Sequence, residues 1–373
     1  MPNKIVLSDI LTRGNNSFDL IRIFAAITVI FGHSFYLFKT GGYTEPVTLI
    51  VNKNFSGTLA VGTFFFLSGI LVTQSFVRSN SPIRFVILRM ARIYPGSLVF
   101  FWIMALLVGP IISHVNLNEY FESLNSVCRL YDKPSIVNFT LTASFHCGAL
   151  PGVFTNNIIG PWINGSLWTL GAELACYAYV FVLGLLGMLN SPLRILISVS
   201  TILVVHSIFP RLVPYFSDDH YTDILKVGLF FMAGALSFAF RSLIVIRWSY
   251  ALPLIVIAAF LQKTIVEEYA LYLALFYLIL VIAAAKGLSR IKLGGDYSYG
   301  VYVYGWPVQQ IYNQIFPNMT SYPSNFLSIP TAIVLGYLSW HYVEKPILDA
   351  AHVFASKRIH LGKWSRIIFG KAE

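Results

Sequence analysis

The stretch Phe18-Asp-Leu-Ile-Arg22-Ile-Phe-Ala-Ala-Ile-Thr-Val-Ile-Phe-Gly-His33 decides the fold. It is almost wholly apolar, yet it carries a guanidinium and an imidazole. With the apolar residues that follow, it reaches about 20 residues, enough to cross the hydrocarbon of a bilayer. On an α-helix, Arg22 and His33 lie about three turns apart on one face, roughly 16 Å along the axis. Hydrocarbon disfavours such groups unless they meet a partner or a wet cavity, so each is a candidate functional position.

Comparable runs recur along the whole chain of 373 residues, which is 56% hydrophobic and only 11% charged. The pattern predicts an all-α, polytopic membrane protein with about ten spans. They fall near 18–38, 58–77, 97–113, 166–188, 192–209, 224–240, 249–262, 268–285, 297–315 and 326–343. Those near 192–209 and 249–262 are short for a crossing and also fit re-entrant or tilted segments. The stretch before Phe18 is polar, so the first span is expected to direct insertion without a cleavable leader.

A net charge of +10 raises the question of nucleic acid, and the placement of the basic residues answers it. Most collect in alternate loops and in the tail, among them Arg78, Arg84, Arg89, Arg92, Arg241, Arg247, Lys286 and Lys345. The opposite loops hold most of the acids, including Asp218, Asp219, Glu267 and Glu268. By the positive-inside rule, the basic side and both termini are cytoplasmic, and no nucleic-acid partner is expected. Residues 1–350 read as one transmembrane domain and 351–373 as a basic cytoplasmic tail, solvated or lying on the membrane surface. Cys128 and Cys147 share the large outer loop of residues 114–165, where a disulfide and two free thiols are equally open readings. Cys176, inside a span, reads as a small apolar residue.

Each polar group has a plain reading beside a chemical one. Asp19, three residues before Arg22, suits a local ion pair at a helix end. His33 has no acid near it in sequence, and a lone histidine on an apolar face is often a satisfied structural group. The fourth span opens with Ser166-Leu-Trp-Thr-Leu-Gly-Ala-Glu173, which sets Glu173 at a depth comparable with His33. A carboxylate there can orient an imidazole and stabilise its charged form, or it can bond Trp168, Tyr177 or a buried water. Arg89 and Arg92 share a helical face at the cytoplasmic boundary, which suits either bidentate phosphate binding or simple topogenic charge. Gly62-Thr-Phe-Phe-Phe-Leu-Ser-Gly69 and Gly295-Asp-Tyr-Ser-Tyr-Gly300 are explained by close helix packing. No cluster of residues suggests a metal.

Taken in order, Arg22 to His33, Phe64-Phe-Phe-Leu-Ser-Gly69, Arg89-Met-Ala-Arg92 with Tyr94-Pro95, Ser166 to Glu173, Tyr297-Ser-Tyr-Gly300 and Tyr342-Val-Glu-Lys-Pro346 resemble the acyltransferase-3 family. The resemblance covers nearly the whole chain. It implies an enzyme of the bacterial inner membrane that takes an acyl group, usually acetyl, from cytoplasmic acyl-coenzyme A. The acceptor it implies is a sugar hydroxyl of a surface glycan such as an O-antigen, free or lipid-linked. It makes His33 the central catalytic group, Arg22 its partner on the helix, Arg89 and Arg92 the pair near the cofactor, and Glu173 a site carboxylate. One departure stands out: many relatives carry a histidine where this chain has Gly305, so a second histidine is not expected.

The mechanism expected from these residues holds coenzyme A phosphates at Arg89 and Arg92 while the thioester reaches His33. His33 then acts as general base or accepts the acyl group itself. Ser166 and Tyr302 are weaker candidates for the developing oxyanion or the substrate. The rival reading is a secondary transporter of a sugar or lipid-linked intermediate, since buried charges also mark transport paths. A structural scaffold leaves Arg22, His33 and Glu173 unexplained.

Overall fold

In a computed structural model, the structure describes residues 5–12, 16–39, 41–51, 54–79, 81–208 and 221–361. Asp218, Asp219 and the tail beyond residue 361 lie outside the described residues. Those described form helices and no named strand; pairing outside helices is limited to isolated bridges such as Val6 with Val245.

The element order begins with α1 (Leu7–Ile10), α2 (Phe18–Leu37), α3 (Pro46–Ile50), α4 (Ser56–Ser79) and α5 (Pro82–Ile103). A π-turn at Met104–Val108 joins α5 to α6 (Gly109–Ile112), and α7 (Leu117–Cys128) and α8 (Lys133–Thr142) follow. Then come α9 (Trp168–Leu185), α10 (Pro192–Ile208), α11 (Tyr221–Ala239), α12 (Trp248–Phe260) and α13 (Glu267–Ala283). The chain closes with α14 (Ser298–Ile315), α15 (Ser321–Ser339), a second π-turn at Trp340–Glu344 and α16 (Lys345–Leu361).

Among the described residues, five helices are long and apolar enough to cross a membrane: Phe18–Leu37, Ser56–Ser79, Pro82–Ile112, Trp168–Leu185 and Ser321–Ser356. The other expected spans coincide with α10 to α14; of these α10, α12 and α13 are shorter, and α14 carries more polar residues. The third helix differs from expectation because it starts at Pro82 rather than near residue 97. Ser81 caps it, its hydroxyl accepting from the Arg84 N–H at 3.3 Å, and Pro82 supplies a preset first turn. Arg84, Arg89 and Arg92 depress the hydropathy of that stretch, so the apolar run alone starts too late. The last long helix likewise runs on through its π-turn, so residue 350 falls inside α16. The loop 114–165 contains α7 and α8, and a disulfide joins Cys128 to Cys147.

Helix α2 packs between α4 and α14, α11 lies along α4, and α15 covers α14. Small residues set these crossings. Gly69 of α4 abuts the backbone of α11 at Phe231, and Gly300 of α14 meets Gly336 of α15, where a Cβ would come within 2.8 Å of the Gly336 Cα. Backbones this close gain dispersion contacts without a solvophobic drive, the usual basis of helix association in lipid. Gly305 also lies at a close approach: a Cβ there would lie 2.6 Å from Ile30 Cγ1 of α2, so a side chain at this position requires Ile30 to move.

Candidate functional site

Helix α2 is unbroken from Phe18 to Leu37, so it carries Arg22 near one end and His33 near the other. Three adjoining cavities run beside it. At the Arg22 end is a cleft of about 1110 Å3, lined among others by Arg22, Arg78, Arg89, Arg92, Lys345 and His352. It shares Arg22, Arg89 and Arg92 with a central cavity of about 90 Å3 that also exposes Ser68, Glu173 and Tyr177. The central cavity in turn shares Val61 and Tyr302 with a chamber of about 200 Å3 at the His33 end, lined by His33, Ser166, Trp168 and Lys226. The largest of these matches or exceeds the usual size of a ligand pocket, roughly 300–1,000 Å3.

The arginines at the first boundary are not equivalent. Arg92 donates to Glu344 at 2.8 Å and to the Asp296 carboxylate at 2.8 Å, and its guanidinium lies over the Trp340 ring, 5.2 Å from the centroid. Arg22 donates to the same Asp296 oxygen at 2.8 Å, so its ion pair reaches 274 positions along the chain. Burial alone would push the Asp296 carboxyl up, but Arg92, Arg22 and the hydrogen bonds from Ser298 hold it down at about 2. Glu344, 1% exposed, also accepts from the Ser339 hydroxyl at 3.0 Å. This network fastens α2, α5, the start of α14 and the second π-turn together, pairing both guanidiniums with carboxylates although the Arg22 Nε is itself unbonded. Arg89, by contrast, forms no ion pair among the described residues. It touches Ser75 at 3.5 Å and lies 5.8 Å from the centre of the Tyr177 ring, with its Nε unbonded.

Glu173 falls in the central cavity, where one carboxylate oxygen accepts from the Tyr177 hydroxyl and, at 3.5 Å, from Ser68. The structure thus gives this carboxylate Tyr177 as its partner rather than an imidazole. His33 has no hydrogen-bond partner among the described residues. Its ring is held edge-on against Trp306 of α14, centroids 5.0 Å apart, and near Phe55, centroids 6.2 Å apart. The Trp306 indole donates to the Trp162 carbonyl at 3.3 Å, tying this wall to the disulfide-bearing loop. Both imidazole nitrogens are therefore available to a ligand in the chamber.

Ser166 and Tyr302 also come together here with different prospects. The Tyr302 hydroxyl lies 2.9 Å from the Ser166 carbonyl and 2.8 Å from the Thr169 hydroxyl, so its one proton is committed within the protein. The Ser166 hydroxyl, on a residue 2% exposed, has no partner among the described residues. A buried hydroxyl left unpaired is costly, and one that lines a chamber marks a place for a ligand atom. Among the described residues no group of His, Cys, Asp and Glu is arranged for a metal.

Sequence reasoning brought out Arg22, Arg89, Arg92, Glu173 and His33 but missed Asp296 and Glu344, the counter-charges that hold two of the arginines. The signal was present: both acids sit beside apolar spans, inside segments already quoted for other reasons. Lys226, which no motif singled out, lies in α11 and lines the His33 chamber.

The family model described as "Acyltransferase domain", acyltransferase-3, matches residues 15–341. The chain is 30% identical to "O-acetyl transferase" of Shigella phage Sf6 over 344 residues, covering 90% of this chain and 96% of that protein. It is 32% identical to "Nodulation protein 10" of Rhizobium leguminosarum bv. viciae over 169 residues, 43% of this chain and 42% of that protein. No solved structure matches it. The chain belongs to the acyltransferase-3 family and is an acyltransferase.

Proposed function

We propose that this acyltransferase-3 protein is an O-acetyltransferase that moves acetyl from acetyl-coenzyme A to a sugar hydroxyl of an O-antigen or a similar surface polysaccharide. It works in the bacterial inner membrane with ten crossings and both termini in the cytoplasm. The basic loops at the Arg22 end support that orientation, and the phage relative's name supports acetyl as the group transferred.

The observation that carries the reading is the row of adjoining cavities from an arginine-lined cleft to an uncommitted imidazole. The cytoplasmic cleft takes the nucleotide end of the donor. Arg89, free of any carboxylate, binds phosphate, while Arg92 and Arg22 shape the mouth that Asp296 and Glu344 hold rigid. The roughly 16 Å from Arg22 to His33 is bridged by the extended arm that ends in the thioester.

His33 removes the proton from the acceptor hydroxyl as its oxygen attacks the thioester carbonyl. The C–S bond then breaks, the proton passes to the departing thiolate, and coenzyme A leaves as the thiol with the acetyl group on the sugar oxygen. The Ser166 hydroxyl donates to the oxyanion formed between these steps. Glu173 acts from the central cavity through its negative field, without touching the imidazole.

Membranes carrying the full chain, given labelled acetyl-coenzyme A and polysaccharide stripped of its esters, are expected to put label into alkali-labile ester on the glycan. Sugar flux without ester formation would instead identify a carrier.

A further inference from the structure

The chamber around His33 contains a cation that the transfer chemistry above does not use. Lys226 of α11 donates to Glu268 of α13 at 3.1 Å and to Asn54, just before α4, at 3.2 Å. Its ammonium lies 5.2 Å from the centre of the Tyr272 ring, and the Tyr272 hydroxyl donates to the same Asn54 oxygen at 2.8 Å. Asn54 is 2% exposed and Tyr272 5%, so the cradle is fixed. The pair with Glu268 is itself accessible, at 25% and 39% exposure, and such a pair adds little to stability. Stability therefore does not explain a lysine in the wall of this chamber.

An ammonium has three N–H donors, and the cradle engages two of them. The rest of the wall includes Phe55, Trp168, Phe230 and Tyr302, with the Ser166 hydroxyl, unpaired among the described residues, His33 and smaller side chains. Aromatic faces with a few converging donors and one base suit a polyhydroxylated ring, whose C–H faces are apolar and whose edges are hydroxyls. Glu268 neutralises the charge of Lys226, so the site favours a neutral sugar over an acidic one.

Resting on the transferase reading above, we propose that Lys226 is an acceptor-binding residue. Its third N–H donates to one hydroxyl oxygen of a neutral sugar and so determines which neighbouring hydroxyl meets His33. The test uses the full chain in membranes, labelled acetyl-coenzyme A and graded amounts of ester-stripped polysaccharide from the source cells. Lys226→Met should raise the acceptor KM at least tenfold and scatter the esters over other hydroxyls, leaving the donor KM and the protein level unchanged. Lys226→Arg should recover part of the acceptor affinity. Glu268→Gln, which removes the neutralising charge but keeps the fold-bearing contacts, should shift preference towards a uronate-bearing polysaccharide. An unaltered acceptor KM and ester position in Lys226→Met would overturn the proposal while wild-type transfer keeps the parent reading. If Lys226→Met does not accumulate, unchanged acceptor preference in Glu268→Gln overturns it. No ester from the wild type would remove both.

Discussion

Arg92 and His33 lie in the same helical body yet are treated in opposite ways. Arg92 meets two carboxylates at 2.8 Å and an indole face, while His33 meets the aromatic rings of Trp306 and Phe55 and makes no hydrogen bond among the described residues. On the proposed transferase reading, the difference separates groups that hold the helices together from a group that reacts. A group needed for architecture is saturated with partners, because an unpaired charge in low dielectric is expensive. A group needed for chemistry is left open towards a cavity and pays in stability what it gains in reactivity. Arg89 belongs with His33 on this criterion, although the spacing in the sequence pairs it with Arg92.

The contrast can be broken most forcefully at His33. His33→Ala should lower transfer by about 10²- to 10⁴-fold while protein level and membrane insertion stay at wild-type values in immunoblots of membrane fractions. Asp296→Asn should do the reverse. It leaves Arg22 and Arg92 short of charge, costs on the order of 3 kcal/mol, and is read as loss of folded protein in detergent melting. Ser166→Ala sharpens the distinction within the chamber: kcat should fall about 10²-fold with no loss of folded protein, since an oxyanion donor is removed and no internal bond is broken.

At the arginine boundary, Arg89→Ala should weaken acetyl-coenzyme A binding about tenfold without changing the protein level, because it removes one charge-assisted hydrogen bond to a ligand. Equal loss of folded protein in Arg89→Ala and Arg92→Ala would erase the difference between the two. The smallest effect is expected from Glu173→Gln. The amide retains the bond to Tyr177, and kcat should change by less than about tenfold. A loss near 10⁴-fold, as follows when an orienting carboxylate is removed from a catalytic histidine, would restore the direct Glu173–His33 contact.

Much of this was legible in the chain. Arg22 and His33 stand out because a guanidinium and an imidazole are expensive in an apolar run, and the unbroken α2 puts them on one helix as the spacing implied. Gly69 and Gly300 are helix-crossing residues, as small residues in apolar segments suggest. The start of the third helix was hidden because arginines that face a cavity lower hydropathy as effectively as arginines in a loop. Equal depth along two helices says nothing about rotation, so the sequence left the partner of Glu173 open between His33 and Tyr177, and the carboxylate turns to Tyr177. Asp296 and Glu344 stand out locally as acids beside apolar spans, but which arginines they hold was hidden, because the pairs lie more than 200 positions apart in sequence. The open state of His33 was beyond the sequence for the same reason, since it depends on which side chains approach the ring, Phe55 from just before α4 and Trp306 from α14.

The direct test of the central claim is vectorial transfer. Sealed membrane vesicles of each orientation, carrying the full chain and its polysaccharide acceptor on both faces, are given labelled acetyl-coenzyme A outside only. Ester should form on glycan at the opposite face when the Arg22 end is outward, and not in the reverse orientation or in His33→Ala. Ester formed equally from either side, or undiminished in His33→Ala, would contradict an arginine-lined entry that delivers acyl groups to that imidazole.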